Sequence, residues 1–196
     1  MNIRNYFLLT ILLLLTLNSC NNHEEYYTPK PKGYFRIDLP EPCYQPVDTI
    51  LPFTFDYSCR AKCTFEVKED NTWWMDISYP NFKASFLFTY IPLRQNLRDL
   101  AVSEEQMIGF HIDYGKADDV QFSFVEDPQN HIYGRVYDIV GKDVASPLQF
   151  WVTDSVKHYL RASLYFDFAA NNDSLQPVID YLREDALNFI NSLYWK

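Results

Sequence analysis

Trp73-Trp74-Met75-Asp76-Ile77-Ser78-Tyr79-Pro80-Asn81-Phe82-Lys83-Ala84-Ser85-Phe86-Leu87-Phe88-Thr89-Tyr90-Ile91 carries the clearest period-two pattern in the chain. Trp73, Met75, Ile77 and Tyr79 alternate with Trp74, Asp76 and Ser78, and Phe86, Phe88 and Tyr90 share one face of the segment from Lys83 to Ile91. Side chains of a strand point to opposite faces in turn, so the pattern predicts two half-buried strands. Pro80-Asn81 supplies the turn, which makes the pair antiparallel.

Upstream, Phe53 to Tyr57 and Thr64 to Val67 read as two strands of a second hairpin, and Tyr34 to Asp38 as a further strand. Pro40, Pro42 and Pro46 make the segment between them a loop, because proline lacks the amide that a sheet ladder needs. Downstream, Pro92 closes the long strand and the period changes. Leu97, Leu100 and Ala101 fit one helical face; Ser103 and Gln106 then form a capping box for a second short helix through Met107, Ile108 and His111, ended by Gly115. Strands resume at Val120 to Val125, Ile132 to Val140, Leu148 to Thr153 and His158 to Asp167, the last two joined by Asp154-Ser155-Val156-Lys157. From Leu175 through Val178, Ile179, Leu182, Ala186, Phe189 and Ile190 to Leu193 the apolar residues keep helical spacing. Asp173 with Gln176 is the expected cap of that helix, and Pro177 falls in its first turn, where proline is tolerated. The order predicts an α+β fold: a largely antiparallel sheet of about seven to eight strands, one or two short central helices and a C-terminal amphipathic helix. On topology alone this is similar to the small domains of the Mog1/PsbP type.

Residues 1–19 read as a lipoprotein signal peptide. Arg4 precedes an apolar run from Tyr6 to Leu17, followed by Leu17-Asn18-Ser19-Cys20. About 12 apolar residues reach only about 18 Å as a helix, short of the roughly 20 residues a membrane span needs. Cleavage is expected before Cys20, whose sulfur and amine then carry acyl chains such as palmitate, each buried methylene contributing about 0.8 kcal/mol to anchorage. The alternative is an ordinary secreted protein in which Cys20 is incidental. Residues 20–32 are polar and proline-punctuated and read as a tether, leaving 33–196 as a single globular domain. Removing Arg4 and no acidic residue takes the net charge of −9 to −10. That balance argues against nucleic acid as a partner, since a phosphate backbone is met by clustered Lys and Arg. The membrane is expected to be engaged through the lipid on Cys20 alone, with the periplasmic face of the outer membrane favoured.

Cys43, Cys59 and Cys63 follow in a protein expected to leave the cytoplasm, and an odd number cannot all pair within one chain. A disulfide from Cys59 to Cys63 across a hairpin end, with Cys43 free, is one arrangement; Cys43 paired to one of the two competes. Three residues between Cys59 and Cys63, with no metal-ligand partner nearby, point away from redox or metal chemistry.

Phosphate loops, nucleophile elbows and zinc-protease signatures do not occur in the sequence. Among the histidines, His23 lies in the tether, His111 at the end of an amphipathic segment and His131 after a turn. Asp154, Ser155 and His158 share one turn and could be read as a nucleophilic triad, but a tight exposed turn without oxyanion donors favours turn capping. Asp167, Asn171, Asn172 and Asp173 crowd the start of the last helix, yet lack the glycine-bearing loop of a calcium site. Lys30, Lys32 and Arg36 are the one basic cluster. No catalytic residue, metal or cofactor is therefore expected.

Several stretches together resemble the gliding-motility-associated lipoprotein GldD family of Bacteroidota. They are Pro29-Lys30-Pro31-Lys32-Gly33-Tyr34-Phe35-Arg36-Ile37-Asp38-Leu39-Pro40, Tyr79-Pro80-Asn81-Phe82-Lys83-Ala84, Gly115-Lys116-Ala117-Asp118, Tyr133-Gly134, Gln149-Phe150, Thr153-Asp154-Ser155, His158, Leu164-Tyr165-Phe166 and Asp173-Ser174-Leu175-Gln176-Pro177. The resemblance implies a lipoprotein needed for gliding and associated with the type IX secretion apparatus. It implies other envelope motility and secretion proteins as partners, and no catalytic activity, so no active site is carried over. Two functions follow as expectations: a non-enzymatic assembly or stabilising component, or alternatively a periplasmic ligand-binding protein or cell-wall hydrolase. A deep pocket with converging polar groups would favour the second.

Overall fold

In the computed structural model the described residues are 37–47, 50–94, 96–169 and 171–196. The signal segment, Cys20, the tether with His23, and the cluster of Lys30, Lys32 and Arg36 lie outside them. In chain order the strands and helices are β1 (Tyr44–Pro46), β2 (Phe53–Thr54), β3 (Asp56–Ser58), β4 (Lys62–Val67), β5 (Trp73–Tyr79), β6 (Ala84–Pro92), α1 (Leu97–Asp113), β7 (Asp119–Asp127), β8 (Ile132–Val140), β9 (Leu148–Thr153), β10 (His158–Phe166), α2 (Asn172–Ser192) and β11 (Tyr194–Trp195).

The hairpin read from Trp73 to Ile91 is β5 and β6, paired antiparallel with Tyr79 opposite Ala84. It belongs to a seven-stranded sheet in the order β4-β5-β6-β10-β9-β8-β7, in which every neighbouring pair is antiparallel. Each half of the sheet is a meander of consecutive strands, and the β6–β10 pairing joins the halves. Register then sorts the side chains by face. Met75, Phe88, Ala162, Phe150 and Val136 form one row across five strands, and all are buried. One residue along, Trp74, Thr89, Arg161, Trp151, Arg135 and Phe124 form the row on the opposite face.

The first face is covered by α2. Val178, Ile179, Leu182, Ala186, Phe189 and Ile190 are buried, as the helical spacing predicts. Full burial of an aliphatic or aromatic side chain contributes about 1.5–3 kcal/mol, so this interface is a substantial apolar contribution to the fold. The second face is covered in part by α1, whose Glu104, Met107 and His111 reach Arg161 and Gln149 on the central strands. Gly134 lets β8 and β9 lie close: a Cβ there would stand 2.0 Å from the Trp151 carbonyl oxygen.

Local signals were overruled in four places. α1 is one helix running through Ser103, because Leu97, Leu100, Ala101, Glu104 and Ile108 make a continuous sheet-facing row that outweighs a local capping box. α2 begins after Asn171, and Gln176 donates to Asp180 instead of forming a cap with Asp173. The proline-rich loop contains β1, which ends at Pro46 in a two-stranded sheet, a position proline tolerates. The strand expected over Tyr34 to Asp38 lies mostly outside the described residues, and Ile37 and Asp38 belong to no strand.

The fourth correction concerns the cysteines. Phe53 to Tyr57 is split into β2, which pairs β11, and β3, which pairs β1, while β4 pairs β5. No hairpin therefore brings Cys59 to Cys63. Tyr44 stands opposite Ser58, so Cys43 and Cys59 are the next facing pair; the Cys59 amide donates to the Cys43 carbonyl at 3.0 Å. Their sulfurs are bonded, with the Cα atoms 5.6 Å apart. Cys63 is a free, half-buried thiol on β4, and burial, helped by the Asp76 charge, pushes its pKa up to about 11, which leaves it unreactive at neutral pH. Closing a segment of this length constrains the unfolded chain, so Cys59→Ser is expected to lose about 2–3 kcal/mol of stability. Urea unfolding with and without reductant checks this. Reductant should reproduce the loss in the parent chain, whereas Cys63→Ser should show none.

Candidate functional site

A groove of about 800 Å³ lies between α1 and the β7–β9 end of the sheet, with Arg98, Val102, Glu105, Phe124, Arg135 and Trp151 among its lining. α1 places Glu105 one residue after the sheet-facing Glu104, so its side chain leans over β8. There Glu105 pairs with Arg135 and accepts a hydrogen bond from the Tyr137 hydroxyl at 2.8 Å. The Trp151 indole N–H approaches the Tyr137 oxygen at 3.4 Å. Burial pushes the Tyr137 phenol up, so it stays protonated and donating.

Arg135 also lies over two rings, 5.2 Å from Phe122 and 5.1 Å from Phe124. Phe122 and Phe124 stand on β7, the last strand of the sheet, and are 54% and 69% exposed. At the C-terminal end of α1, Phe110, Ile112 and Tyr114 are exposed as well. Single exposed apolar residues are ordinary; several of them beside a sheet edge that pairs with no further strand among the described residues mark a surface suited to another protein. Chemically the groove offers an ion pair already satisfied within itself, a protonated phenol and aromatic faces.

The Asp154, Ser155 and His158 grouping is a turn cap, as the sequence favours. Asp154 Oδ1 accepts the backbone N–H of Val156, Lys157 and His158 at 2.8–2.9 Å, and these bonds hold its carboxyl below the usual range against a desolvation that raises it. Ser155 has a positive φ of 67°, and its amide donates to Thr153 Oγ1. His158 Nδ1 bonds the Tyr90 hydroxyl at 2.9 Å, and its ring stacks on Trp195 at 5.0 Å. Burial lowers its pKa, so it is neutral near pH 7. His111 Nε2 bonds Gln149 at the edge of the core, and its pKa is likewise lowered by burial. His131 occupies a turn with φ 54°. At the start of α2, Asn172 donates to the carbonyls of Gly141 and Val144, both at 2.9 Å, locking the helix to the β8–β9 loop. No group of three or more His, Cys, Asp and Glu among the described residues is placed to hold a metal ion.

Two buried acids escaped the reading of the sequence. Glu104, 2% exposed, faces Arg161 at 3.4 Å under α1, and desolvation raises its pKa although Arg161 opposes the shift. Asp185, 5% exposed on the core side of α2, accepts the Tyr44 hydroxyl at 2.9 Å; its carboxyl is also pushed up by burial. Both lie in helical register with the apolar stripes that were recognised: Glu104 between Leu100 and Ile108, Asp185 between Leu182 and Phe189. Spacing alone therefore puts both acids on a buried face, against the usual exposure of carboxylates.

Among the described residues no helix is long and apolar enough to cross a membrane. The family model for the gliding motility lipoprotein GldD matches residues 24–195. No curated protein matches the chain.

Proposed function

The chain belongs to the gliding motility lipoprotein GldD family, and on that premise we propose that it is a non-enzymatic component that helps to assemble or stabilise the motility and type IX secretion machinery. Membership makes it a lipid-anchored envelope protein involved in gliding. The finer reading is that residues 1–19 are removed, that Cys20 carries the lipid, and that the tether holds the domain at the periplasmic face of the outer membrane, near its partners.

The observation that carries the assembly role is the pair of Phe122 and Phe124 on the end strand β7, beside Arg135 of β8, where β7 has no further strand partner among the described residues. Aromatic and arginine side chains dominate the energetics of protein interfaces, and an open strand edge offers backbone bonds to a partner segment. In a deletion strain, Phe122→Ser/Phe124→Ser is expected to weaken crosslinking to envelope partners by at least about tenfold and to abolish spreading, with the circular dichroism of the purified protein unchanged. Cys20→Ala should release the protein from the membrane fraction. Normal spreading and crosslinking by the double variant would refute this surface.

A further inference from the structure

A second cavity, of about 220 Å³, is bordered by Asp38, Ser58, Arg60, Asn81, Phe82 and Tyr181. Two of the stretches that carry the family resemblance meet in it: Asp38 from the first, Asn81 and Phe82 from the turn between β5 and β6. The disulfide fixes the third side, since Ser58 and Arg60 flank Cys59. α2 contributes the fourth through Tyr181, whose ring meets Phe82 edge-on at 5.5 Å and forms an apolar wall.

Ser58 is 1% exposed, and its Oγ lies beside the buried Tyr181 hydroxyl, with no hydrogen bond from either to a third group. Two hydroxyls carry two donors and their mutual contact uses only one, so at least one buried O–H is left for an acceptor on a ligand. Arg60, exposed at the rim, makes one long contact, Nε to the Glu41 carbonyl at 3.4 Å, and no ion pair among the described residues. Asp38 has a partner of its own, and the buried Asp185 does not line the cavity.

We infer that this cavity binds a carboxylate carried on an apolar stem. The guanidinium, both hydroxyls and the Asn81 amide can all donate, and a guanidinium cannot accept, so an anionic acceptor satisfies the set better than a neutral polyol. The wall of Phe82 and Tyr181 receives the stem. Such a carboxylate comes from a peptide C-terminus or from a free small acid.

Calorimetric titration of the full-length chain in detergent tests the inference, with N-acetylphenylalanine and hydrocinnamate against their primary amides, and with inorganic phosphate. At least one acid should bind in the millimolar range or tighter, with its amide at least about tenfold weaker. Preference for N-acetylphenylalanine identifies a chain terminus, and preference for hydrocinnamate a small acid. Arg60→Gln and Tyr181→Phe should each lose binding with little fall in Tm, because Tyr181→Phe removes only its hydroxyl contact with Ser58 and Arg60 is exposed. Equal binding of acid and amide, stronger binding of phosphate, or binding of neither acid would overturn the inference. None of these results touches the β7 surface, so the two readings fail separately.

Discussion

Phe189→Ala is expected to lower the unfolding free energy by about 3–5 kcal/mol, the range for deleting a large ring from a packed core. For a domain of this size that is a fall in Tm of roughly 6–20 °C. Phe189 is 2% exposed, with its ring centre 4.3 Å from Phe55, 4.8 Å from Phe88 and 5.9 Å from Phe150. It therefore touches the segment between β2 and β3, the first meander and the second meander at once. Removing it opens a void that none of the three can fill alone, since Phe88 and Phe150 are fixed by their strands and Phe55 is held between β2 and β3. Phe189→Leu should cost less, and Phe122→Ala, on the exposed edge, close to nothing. Thermal melts followed by circular dichroism rank the three; a loss below about 1 kcal/mol for Phe189→Ala would mean that α2 is not the keystone.

What the sequence reveals divides along the same line. β5, β6, β8, β9, β10 and α2 each repeat a period over six residues or more, and their placement follows from that period. β1, β2 and β11 have two or three residues, too few to show any alternation, and they form only because residues distant in sequence offer an edge. The disulfide shares this origin. Its partners are chosen by the β1–β3 pairing, which no local pattern announces, whereas the nearer pair, Cys59 and Cys63, is held apart by β4 joining the main sheet. The candidate surface was illegible for another reason. The pattern from Val120 to Val125 predicts a strand but does not say which of its faces is covered; register puts Phe122 and Phe124 on the face that α1 leaves open at the β7 end. Cover is a property of the whole sheet.

That partial cover gives the two faces different work. Beneath α2 the row from Met75 to Val136 is closed and apolar, and substitutions there act on stability. On the other face α1 shields the central strands and leaves Trp74 exposed at one end and Phe124 at the other. A lipid-anchored protein needs a rigid body and an accessible surface, and the single central helix supplies both by being too narrow to span seven strands.

Arg161→Met is expected to destabilise the fold by about 3–4 kcal/mol at neutral pH, because it leaves Glu104 as an uncompensated buried carboxylate. Since Arg161 is itself 27% exposed, the cost lies toward the lower end of the range for a broken buried pair. The pH dependence gives the mechanism away. Burial already raises the Glu104 pKa, and Arg161 is the charge that lowers it, so the variant raises it further. For an acid whose folded pKa exceeds its unfolded value, the protonated form is the one the fold favours. Its stabilising contribution is complete below the ordinary glutamate pKa of about 4.3 and is lost as pH rises through the folded value. The difference between parent and variant should accordingly shrink as the pH falls from about 8 to about 5. Carboxylates held low in the fold, such as Asp154, weaken both proteins on acidification and cancel in the difference. Urea unfolding across that range measures it, and Glu104→Gln/Arg161→Met should regain much of the loss with no pH trend. A destabilisation by Arg161→Met that stayed constant with pH would show that its packing on Met107, rather than its charge, holds α1 on the sheet.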